Sequence, residues 1–321
     1  MSLASKIRRR VLDQRHVRAV IDAARFWRRY GTPCPTHVKL PVSGNVIYVD
    51  RREPRGRNVL ICGANGQPTS KAAWHAALGI VKPTIVVDIG LNYGEFLFDY
   101  SYPRDTILLG VEANVFLRSW IDRSAGAHPN AAQFKLAFAL ASNQENSTQT
   151  FYIDPRSSGN SSGVIRDDSA KVIGVTVPTV TIDSFFAGMS DDHLRKQRVV
   201  LKVDVEGFEP YVFGGMRRLL QLCEQCVGIM EFNSDLIRAG GIDPRVFLDE
   251  IIAQFPVVWV RHSSAPEWTD FTQLQSDVAS GKRVETDLLL FSQPALAEQY
   301  RAARRPVAQA NTHLSQVPEV A

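Results

Sequence analysis

Carboxylates follow two short apolar runs of the chain. Asp204 and Glu206 come directly after the run Val199–Val203, and Glu231 ends the run that begins at Val227. In an extended segment residues two apart point to one side, so Asp204 and Glu206 are predicted to share a side. Neighbouring carboxylates raise one another's pKa, which suits a general base near neutral pH. These three acids are the candidate catalytic residues, and Asp204 or Glu206 is the candidate acceptor of a hydroxyl proton.

Two other interpretations of these acids stay open. Asp204, Glu231 and Asn233 are oxygen ligands of the kind that Mg²⁺ prefers, so a metal-assisted reaction is the second version of the hypothesis. Glu206 could instead cap the helix that follows it. We expect the metal-free version and therefore assign no metal ligands.

A glycine turn forms the second set of candidate residues. In Ile85-Val-Val-Asp-Ile-Gly-Leu-Asn-Tyr-Gly-Glu95 an apolar run ends in an acid, and glycines then open a predicted helix. Glycine lets the backbone approach a ligand, and ligands bind beyond the carboxyl ends of parallel strands. The turn lacks the dinucleotide fingerprint, and its acid would repel a pyrophosphate. A phosphate-free cofactor with a positive centre, S-adenosylmethionine, fits better. The predicted cofactor residues here are Asp88, Gly90, Asn92, Gly94 and Glu95.

A third set completes the predicted cofactor site. Ile107–Glu112 is a predicted strand that ends in a carboxylate, and an acid at this place accepts hydrogen bonds from ribose hydroxyls. Ala113 follows it. Leu140 and Ala141, at the start of the segment up to Asn143, are predicted to flank the adenine, and Asp204 is predicted to contact the cofactor as well as the acceptor.

Alternating strands and helices must position these residues. From residue 84 short apolar runs alternate with amphipathic stretches, which predicts a mainly parallel sheet with helices on both faces. The predicted strands are Ile85–Asp88, Ile107–Glu112, Ala132–Ala139, Val199–Val203, Val227–Glu231, Val257–Arg261 and Asp287–Phe291, with two additional ones at Gln149–Ile153 and Val175–Ile182. The predicted helices are 93–102, 114–123, 208–222 and 243–254. The loop 157–163 is either a connector or a lid.

The first part of the chain differs in charge and pattern. Residues 1–30 hold nine Lys/Arg and two Asp/Glu, a balance of 9 − 2 = +7, against 28 − 31 = −3 for the rest. They predict a basic helix over 5–30 that either caps the next domain or contacts a membrane surface or partner. Three short strands and a helix at 70–80 are predicted to follow; the strands are His37–Leu40, Asn45–Val49 and Asn58–Cys62.

Composition excludes several classes of protein. The chain has 321 residues with 45% hydrophobic and 22% charged residues, which is typical of a globular protein. A slightly acidic body argues against a nucleic-acid-binding core. Four cysteines are too few for a disulfide scaffold, so we expect a cytoplasmic protein.

Four motifs in order resemble the FkbM family of methyltransferases. The segment Val199-Val-Leu-Lys-Val-Asp-Val-Glu-Gly-Phe-Glu resembles the family's hallmark Lys-x-Asp-x-Glu-Gly-x-Glu. Val87-Asp-Ile-Gly-Leu-Asn-Tyr-Gly-Glu95, Phe138-Ala-Leu-Ala-Ser142 and Val180-Thr-Ile-Asp-Ser184 resemble three further motifs. The resemblance spans about residues 84–232, and Leu91 stands where the family usually has alanine.

The resemblance implies an α/β fold and an activity. The implied fold is the class I, Rossmann-like methyltransferase fold, with a seven-stranded, mainly parallel sheet whose last strand, Val284–Ser292 here, is antiparallel. We therefore expect an N-terminal extension over 1–83, a methyltransferase domain over 84–293, and a short helix with a disordered tail over 294–321. The expected function is S-adenosylmethionine-dependent O-methylation of a sugar, glycan or secondary-metabolite hydroxyl. The alternatives are N- or C-methylation of a small molecule or protein, and a non-catalytic cofactor-binding scaffold.

Overall fold

A twisted eight-stranded sheet forms the centre of the molecule. The computed structural model describes residues 17, 19–165, 172–261 and 268–304. Within them the strand order is β12-β11-β13-β10-β9-β3-β4-β5, and β13 runs antiparallel to both of its neighbours. The strands are β1 His37–Lys39, β2 Val46–Tyr48, β3 Ile85–Ile89, β4 Ile107–Val111, β5 Phe134–Ala137, β6 Leu140–Ala141, β7 Thr148–Ile153, β8 Ile173–Val180, β9 Arg198–Val203, β10 Gln225–Asn233, β11 Val257–Arg261, β12 Trp268–Asp270 and β13 Glu285–Phe291.

Helices cover the sheet and connect its strands. They are α1 (residues 19–30), α2 Pro54–Cys62, α3 Pro68–Val81, α4 Arg118–Gly126, α5 Asp191–Leu194, α6 Glu209–Gly214, α7 Arg217–Leu222, α8 Ser234–Ala239, α9 Pro244–Gln254, α10 Thr272–Ala279 and α11 Pro294–Arg304. None of the helices that the structure describes is long and apolar enough to cross a membrane.

The sheet has a hydrophobic core on each face because its strands alternate. Ile85, Val87 and Ile89 of β3 belong to one core, and Val86 between them belongs to the other. The first core includes residues of α6, α7, α9 and α10, while the second includes residues of α1 to α4 and α11. Helices therefore lie on both faces, as predicted for this fold class. The predicted domain boundaries at residues 83 and 293 stay a prediction.

The sheet differs from the predicted one by a strand. Seven strands have the predicted arrangement, with β13 as the antiparallel last strand. The additional strand β12 pairs with the edge of β11 through Trp268 to Asp270, because the chain returns beside β11 before it enters α10. The additional strands predicted at 149–153 and 175–182 are β7 and β8, which pair antiparallel in a separate three-stranded sheet whose third strand is β6.

Two predicted elements are wrong. The strand predicted at Asn58–Cys62 belongs to helix α2, because Glu53 caps the helix start, Pro54 occupies its first turn and Gly63 ends it in a left-handed conformation. The helix predicted at 93–102 is a series of turns. Its carbonyl oxygens are bonded to side chains, since Tyr102 Oη donates to Leu97 O within the segment and Asn45 Nδ2 donates to Phe98 O from a distant part of the chain.

The helix predicted at 208–222 is divided into α6 and α7. The two helices are separated at Gly215, where the backbone lies against the carbonyl of Ser142. A Cβ atom at this position would overlap that carbonyl, so only glycine fits there. The basic helix predicted over 5–30 is present as α1, to which residue 17 also belongs, and the predicted residues 5–16 and 18 lie outside the described residues. The helix predicted at the start of 294–321 is α11, and the predicted tail after residue 304 is also outside them.

Candidate functional site

A cavity of about 420 Å³ lies beyond the carboxyl ends of β3, β4, β9 and β10. It has two ends on either side of β3, which we call the Glu112 end and the Asp204 end. The Glu112 end contains Glu112, Ala113, Ala141 and Phe151, and the Asp204 end contains Asp204, Glu206 and Glu231. The predicted residues Gly90, Asn92 and Glu95 lie on the wall between them.

The floor between the two ends depends on glycine at position 90. Its φ is +77°, and a Cβ atom there would overlap the backbone carbonyl of Asp204. The backbone N–H of Asp204 donates to Ile89 O at 3.0 Å, which joins the ends of β3 and β9. Glycine is thus required both for the left-handed conformation and for this close approach.

The carboxylate of Glu112 is oriented by the backbone around it. Its Oε2 accepts the Asn92 N–H and its Oε1 accepts the Asn114 N–H, each at 2.7 Å. Burial raises the pKa of Glu112 above its ordinary value, although the two N–H donors act in the opposite direction. Each oxygen keeps acceptor capacity towards the cavity, which suits a pair of hydroxyl donors.

The turn after β3 does not open a helix, contrary to the prediction. The N–H groups of Gly90 and Leu91 both donate to Val111 O, and that of Asn92 donates to Glu112. These donors are therefore used within the protein. The three N–H groups that follow β3 are therefore not available to a ligand in the way that the N–H groups of a helix start would be.

Three predicted cofactor residues lie off the cavity wall. Asp88 is 1% exposed, and its Oδ2 accepts the Leu97 N–H at 3.3 Å. Gly94 lies against the Phe98 ring, and Leu140 is part of the first core. The positions of these residues show that they shape the segments which line the cavity, whereas their side chains do not contribute to its wall.

Lys202 connects Asp88 to the Asp204 end. Its ammonium lies 3.0 Å from Asp204 Oδ2 and 3.8 Å from Asp88 Oδ1, and its side chain is 7% exposed. Burial alone would lower the pKa of this lysine, but the two carboxylates raise it above its ordinary value. Lys202 is therefore a permanent cation in the cavity wall.

The three candidate catalytic acids come together. One carboxylate oxygen from each of Asp204, Glu206 and Glu231 lies within 4.8 Å of the others. Burial alone would raise the pKa of Asp204, but the charge and hydrogen bond of Lys202 lower it below its ordinary value. The prediction that paired carboxylates raise the pKa of Asp204 is therefore wrong, because Lys202, two residues earlier in the chain, outweighs them.

Glu231 behaves in the opposite way. Burial raises its pKa well above the ordinary value, and the nearby charges of Asp204 and Glu206 raise it further. Its Oε2 is buried without a hydrogen-bond partner in the described structure. Glu231 therefore holds its proton more tightly than an ordinary glutamate, and it shares a hydrogen bond with Asp204.

The turn that carries Glu206 is held by a second buried acid. Glu206 has a φ of +56° and Gly207 a φ of +98°. The carboxylate of Glu209, which is 1% exposed, accepts the N–H groups of Val205 and Gly207. Burial raises the pKa of Glu209 to about 7. Glu209 therefore holds this turn, and Glu206 lines the cavity.

The predicted metal ligand Asn233 does not join the acids. Its Oδ1 accepts the N–H groups of Asp235 and Leu236 at 3.2 Å, which caps the start of α8. The set that could hold a cation is therefore Asp204, Glu206 and Glu231. Its all-oxygen chemistry suits Mg²⁺, but one member is already neutralised by Lys202.

The N-terminal extension contributes wall residues that the sequence did not indicate. Arg55 and Asn58 of α2 line the cavity, and so does Gln67. Arg55 Nη2 is hydrogen-bonded to Glu95 Oε2, and Lys71 Nζ lies 3.9 Å from the other oxygen of Glu95. These contacts join residues far apart in the chain, so no local pattern could have revealed them.

The segment between β7 and β8 forms a further wall of the cavity. Residues 156–161 line it. The Ser158 N–H donates to Glu53 Oε1 at 2.8 Å, and Asn92 Nδ2 donates to Ser158 Oγ at 3.1 Å. Ser162 Oγ donates to the Glu206 carbonyl at 2.7 Å. The loop predicted as a connector or a lid is thus attached to both ends of the cavity.

The fold resembles solved methyltransferase structures. The O-methyltransferase TomG from Streptomyces achromogenes, in complex with S-adenosylmethionine, is 11% identical, with 86% of this chain and 90% of that chain covered and a TM-score of 0.40. The O-methyltransferase from Bacillus cereus is 11% identical, with 71% of this chain and 82% of that chain covered and a TM-score of 0.36. Human methyltransferase-like protein 13 is 15% identical, with 77% of this chain and 96% of that chain covered and a TM-score of 0.37. Among curated proteins, none matches the chain in sequence.

The family is identified by a sequence model. The model described as "Methyltransferase FkbM domain" matches residues 88–255, which is 255 − 88 + 1 = 168 of the 321 residues. The match runs from the last two residues of β3 through β10 and therefore includes both ends of the cavity. The chain belongs to the FkbM family of methyltransferases.

Proposed function

We propose that this methyltransferase transfers a methyl group from S-adenosylmethionine to a hydroxyl oxygen of a polar small molecule or glycan. The observation that supports this most directly is the arrangement of the Asp204 end. The carboxylate of Asp204 lines the cavity beside a buried lysine that lowers its pKa and beside Glu231, whose pKa burial raises. This arrangement can accept a proton from a hydroxyl group and can stabilise the charge that results.

The residues present fit this cofactor. Its ribose diol requires an acceptor pair, and the Glu112 carboxylate is oriented for one by its two backbone donors. Five carboxyl groups and three cationic side chains line the cavity, which favours a ligand with excess positive charge. When bound, S-adenosylmethionine supplies a methyl group on a positively charged sulfur. That sulfur is a good leaving group because it departs as a neutral thioether.

Asp204 has the central chemical role in this proposal. Lys202 keeps it ionised, so its oxygen can accept the hydrogen bond of an acceptor hydroxyl and take the proton as the new C–O bond forms. Glu231 donates its hydrogen bond to Asp204 and so orients that carboxylate. Glu206, on the same wall, is a second hydrogen-bond acceptor for a substrate with several hydroxyls.

The lining of the cavity supports a polar acceptor. Phe96 and Phe151 are the aromatic members among its described lining residues, and Phe151 lies at the Glu112 end. The Asp204 end offers three carboxyl groups and a lysine, and the Phe96 ring lies 5.1 Å from the Lys202 ammonium. The excess of hydrogen-bonding groups over aromatic rings favours a sugar-like hydroxyl over a catechol as the methylated group.

The double variant Asp204→Asn, Glu206→Gln tests the proposal. We expect turnover to fall by about 10² to 10⁴-fold, because the proton acceptor is removed. Binding of S-adenosylhomocysteine, measured by calorimetry, should stay within about threefold, since its main contacts lie elsewhere. The matched control is Asp105→Asn, Glu145→Gln, which changes two exposed acids outside the cavity.

The acceptor screen decides between methylated atoms. S-adenosylhomocysteine release is measured with sugars, catechols, amines and peptides, and products are located by mass spectrometry. A methylated nitrogen or carbon would replace the proposal with the N- or C-methyltransferase alternative. Cofactor binding without turnover on any acceptor class would favour the scaffold alternative.

Chelation tests the metal-assisted version. We expect turnover to persist after the protein is treated with EDTA and returned to metal-free buffer, because Lys202 already supplies a positive charge at Asp204. Loss of turnover that Mg²⁺ restores would show instead that Asp204, Glu206 and Glu231 hold a required cation.

A further inference from the structure

Helix α1 exposes an apolar face. Val17 is 56%, Val20 69%, Ile21 44% and Trp27 63% exposed. With Ala24, which is also exposed, these residues recur three and four positions apart. They therefore form one stripe along the helix, which we call the α1 stripe. A tryptophan at this exposure makes the stripe unusual for a surface helix.

The opposite face of α1 attaches the helix to the body of the protein. Phe26 is 4% exposed, and Tyr30 Oη donates to Leu60 O at 2.6 Å. Arg29 Nη1 donates to Ile61 O at 2.5 Å, so it binds a carbonyl in the last turn of α2. The helix is thus oriented, and the α1 stripe faces away from the core.

Charge indicates what covers this stripe. Residues 1–30 carry a balance of 9 − 2 = +7. Arg28 is exposed and lies within the angular range of the stripe, and Arg25 is exposed beside it. A second copy of this segment would be repelled by its own charge, whereas an anionic surface would be attracted. Apolar side chains with basic residues around them are the pattern of a helix that lies in a membrane interface.

We propose that the α1 stripe binds the surface of an anionic phospholipid membrane. Trp27, Val20 and Ile21 enter the boundary between headgroups and acyl chains, and the arginines contact the anionic headgroups. Because α1 is attached to α2, and α2 carries the cavity residues Arg55 and Asn58, this places the cavity near the membrane. The membrane contact itself does not depend on the proposed acceptor.

Vesicle flotation with the full chain tests the proposal. We expect binding to vesicles of phosphatidylglycerol and phosphatidylcholine, and at least about tenfold weaker binding to phosphatidylcholine alone. Raising the salt concentration to about 0.5 M should weaken binding to the anionic vesicles, since screening reduces the attraction.

Variants locate the contact. Val20→Ser, Trp27→Ala should weaken anionic vesicle binding by at least about tenfold, because the apolar anchors are removed. The matched control is Val246→Ser, Phe116→Ala, whose side chains are 54% and 64% exposed elsewhere. Unchanged melting temperature and unchanged S-adenosylhomocysteine affinity show that each variant is folded, and they keep this test separate from that of the methyl transfer.

Three outcomes overturn the proposal. The wild-type protein could fail to bind anionic vesicles, or the two double variants could bind equally well. Sedimentation could also show that the wild-type protein self-associates and that the Val20, Trp27 double variant does not, in which case a second copy covers the stripe.

Discussion

The two ends of the cavity hold buried carboxylates in different states. Glu112 has a backbone N–H on each oxygen, whereas Glu231 has an oxygen without a partner and a neighbour, Asp204, that carries the negative charge. An acid whose hydrogen bonds come from the backbone is a stable element of a binding site. A pair of neighbouring acids whose pKa values are shifted in opposite directions is suited to moving a proton. We therefore propose that the Glu112 end binds the cofactor and that the Asp204 end carries the chemistry.

The largest effect is expected at the Asp204 end. Asp204→Asn removes the negative charge beside Lys202 and the acceptor of the hydroxyl proton, so we expect the turnover number to fall by about 10² to 10⁴-fold. The affinity for S-adenosylhomocysteine, measured by calorimetry, should change little. If affinity falls and turnover at saturating cofactor is kept, the assignment of the two ends must be reversed.

The Glu112 end should show the converse. Glu112→Gln puts an amide where the carboxylate accepts N–H groups, so we expect S-adenosylhomocysteine to bind about 10 to 100-fold more weakly. The turnover number at saturating cofactor should stay within a few-fold of the wild type. Glu231→Gln is the matched comparison, since it makes the same change at the other end and should leave affinity nearly unaltered.

Asp88 should show a pH-dependent stability. Burial raises its pKa from 3.8 to about 7, with Lys202 acting in the opposite direction. The folded protein holds this proton more tightly than the unfolded chain, so the stabilisation is fully present below pH 3.8 and is lost as the pH rises through 7.

The variant Asp88→Asn tests this dependence. It keeps an oxygen for the Leu97 N–H and cannot ionise. The melting temperature of this variant relative to the wild type should therefore rise between pH 5 and pH 8, by a few degrees at most. A difference that is constant with pH would show that Asp88 does not titrate in this range.

The smallest effect is expected at the wall segment that joins the two ends. Ser158→Ala removes the hydroxyl that accepts the Asn92 amide hydrogen, so we expect S-adenosylhomocysteine to dissociate about two to tenfold faster. Stopped-flow fluorescence measures the rate. Ser157→Ala, in the same segment, is the matched control. If both variants speed dissociation equally, the hydrogen bond between Asn92 and Ser158 does not control the dissociation rate.

Local pattern alone predicted where the strands of the sheet lie along the chain and much of the cavity floor, while the seven-stranded arrangement came from the family resemblance. The apolar runs that became β3, β4, β9 and β10 each end at or beside a predicted site residue, because parallel strands bring their carboxyl ends to one edge. The glycine at 90 and the acids at 112 and 204 could be found for the same reason. The strand predicted at 58–62 is wrong because the helix start signal at Glu53 and Pro54 outweighs the apolar, β-branched character of the segment.

Only the tertiary structure decided the electrostatics of the site and the membership of its wall. Lys202 reverses the predicted pKa direction of Asp204, and Asp88 turns away from the cavity to bind Leu97. Arg55 reaches Glu95 from a helix outside the family segment. Such contacts join residues distant in the chain, and burial is a property of the packed molecule. A carboxylate's position at a strand end can therefore be predicted from sequence, while its charge state cannot.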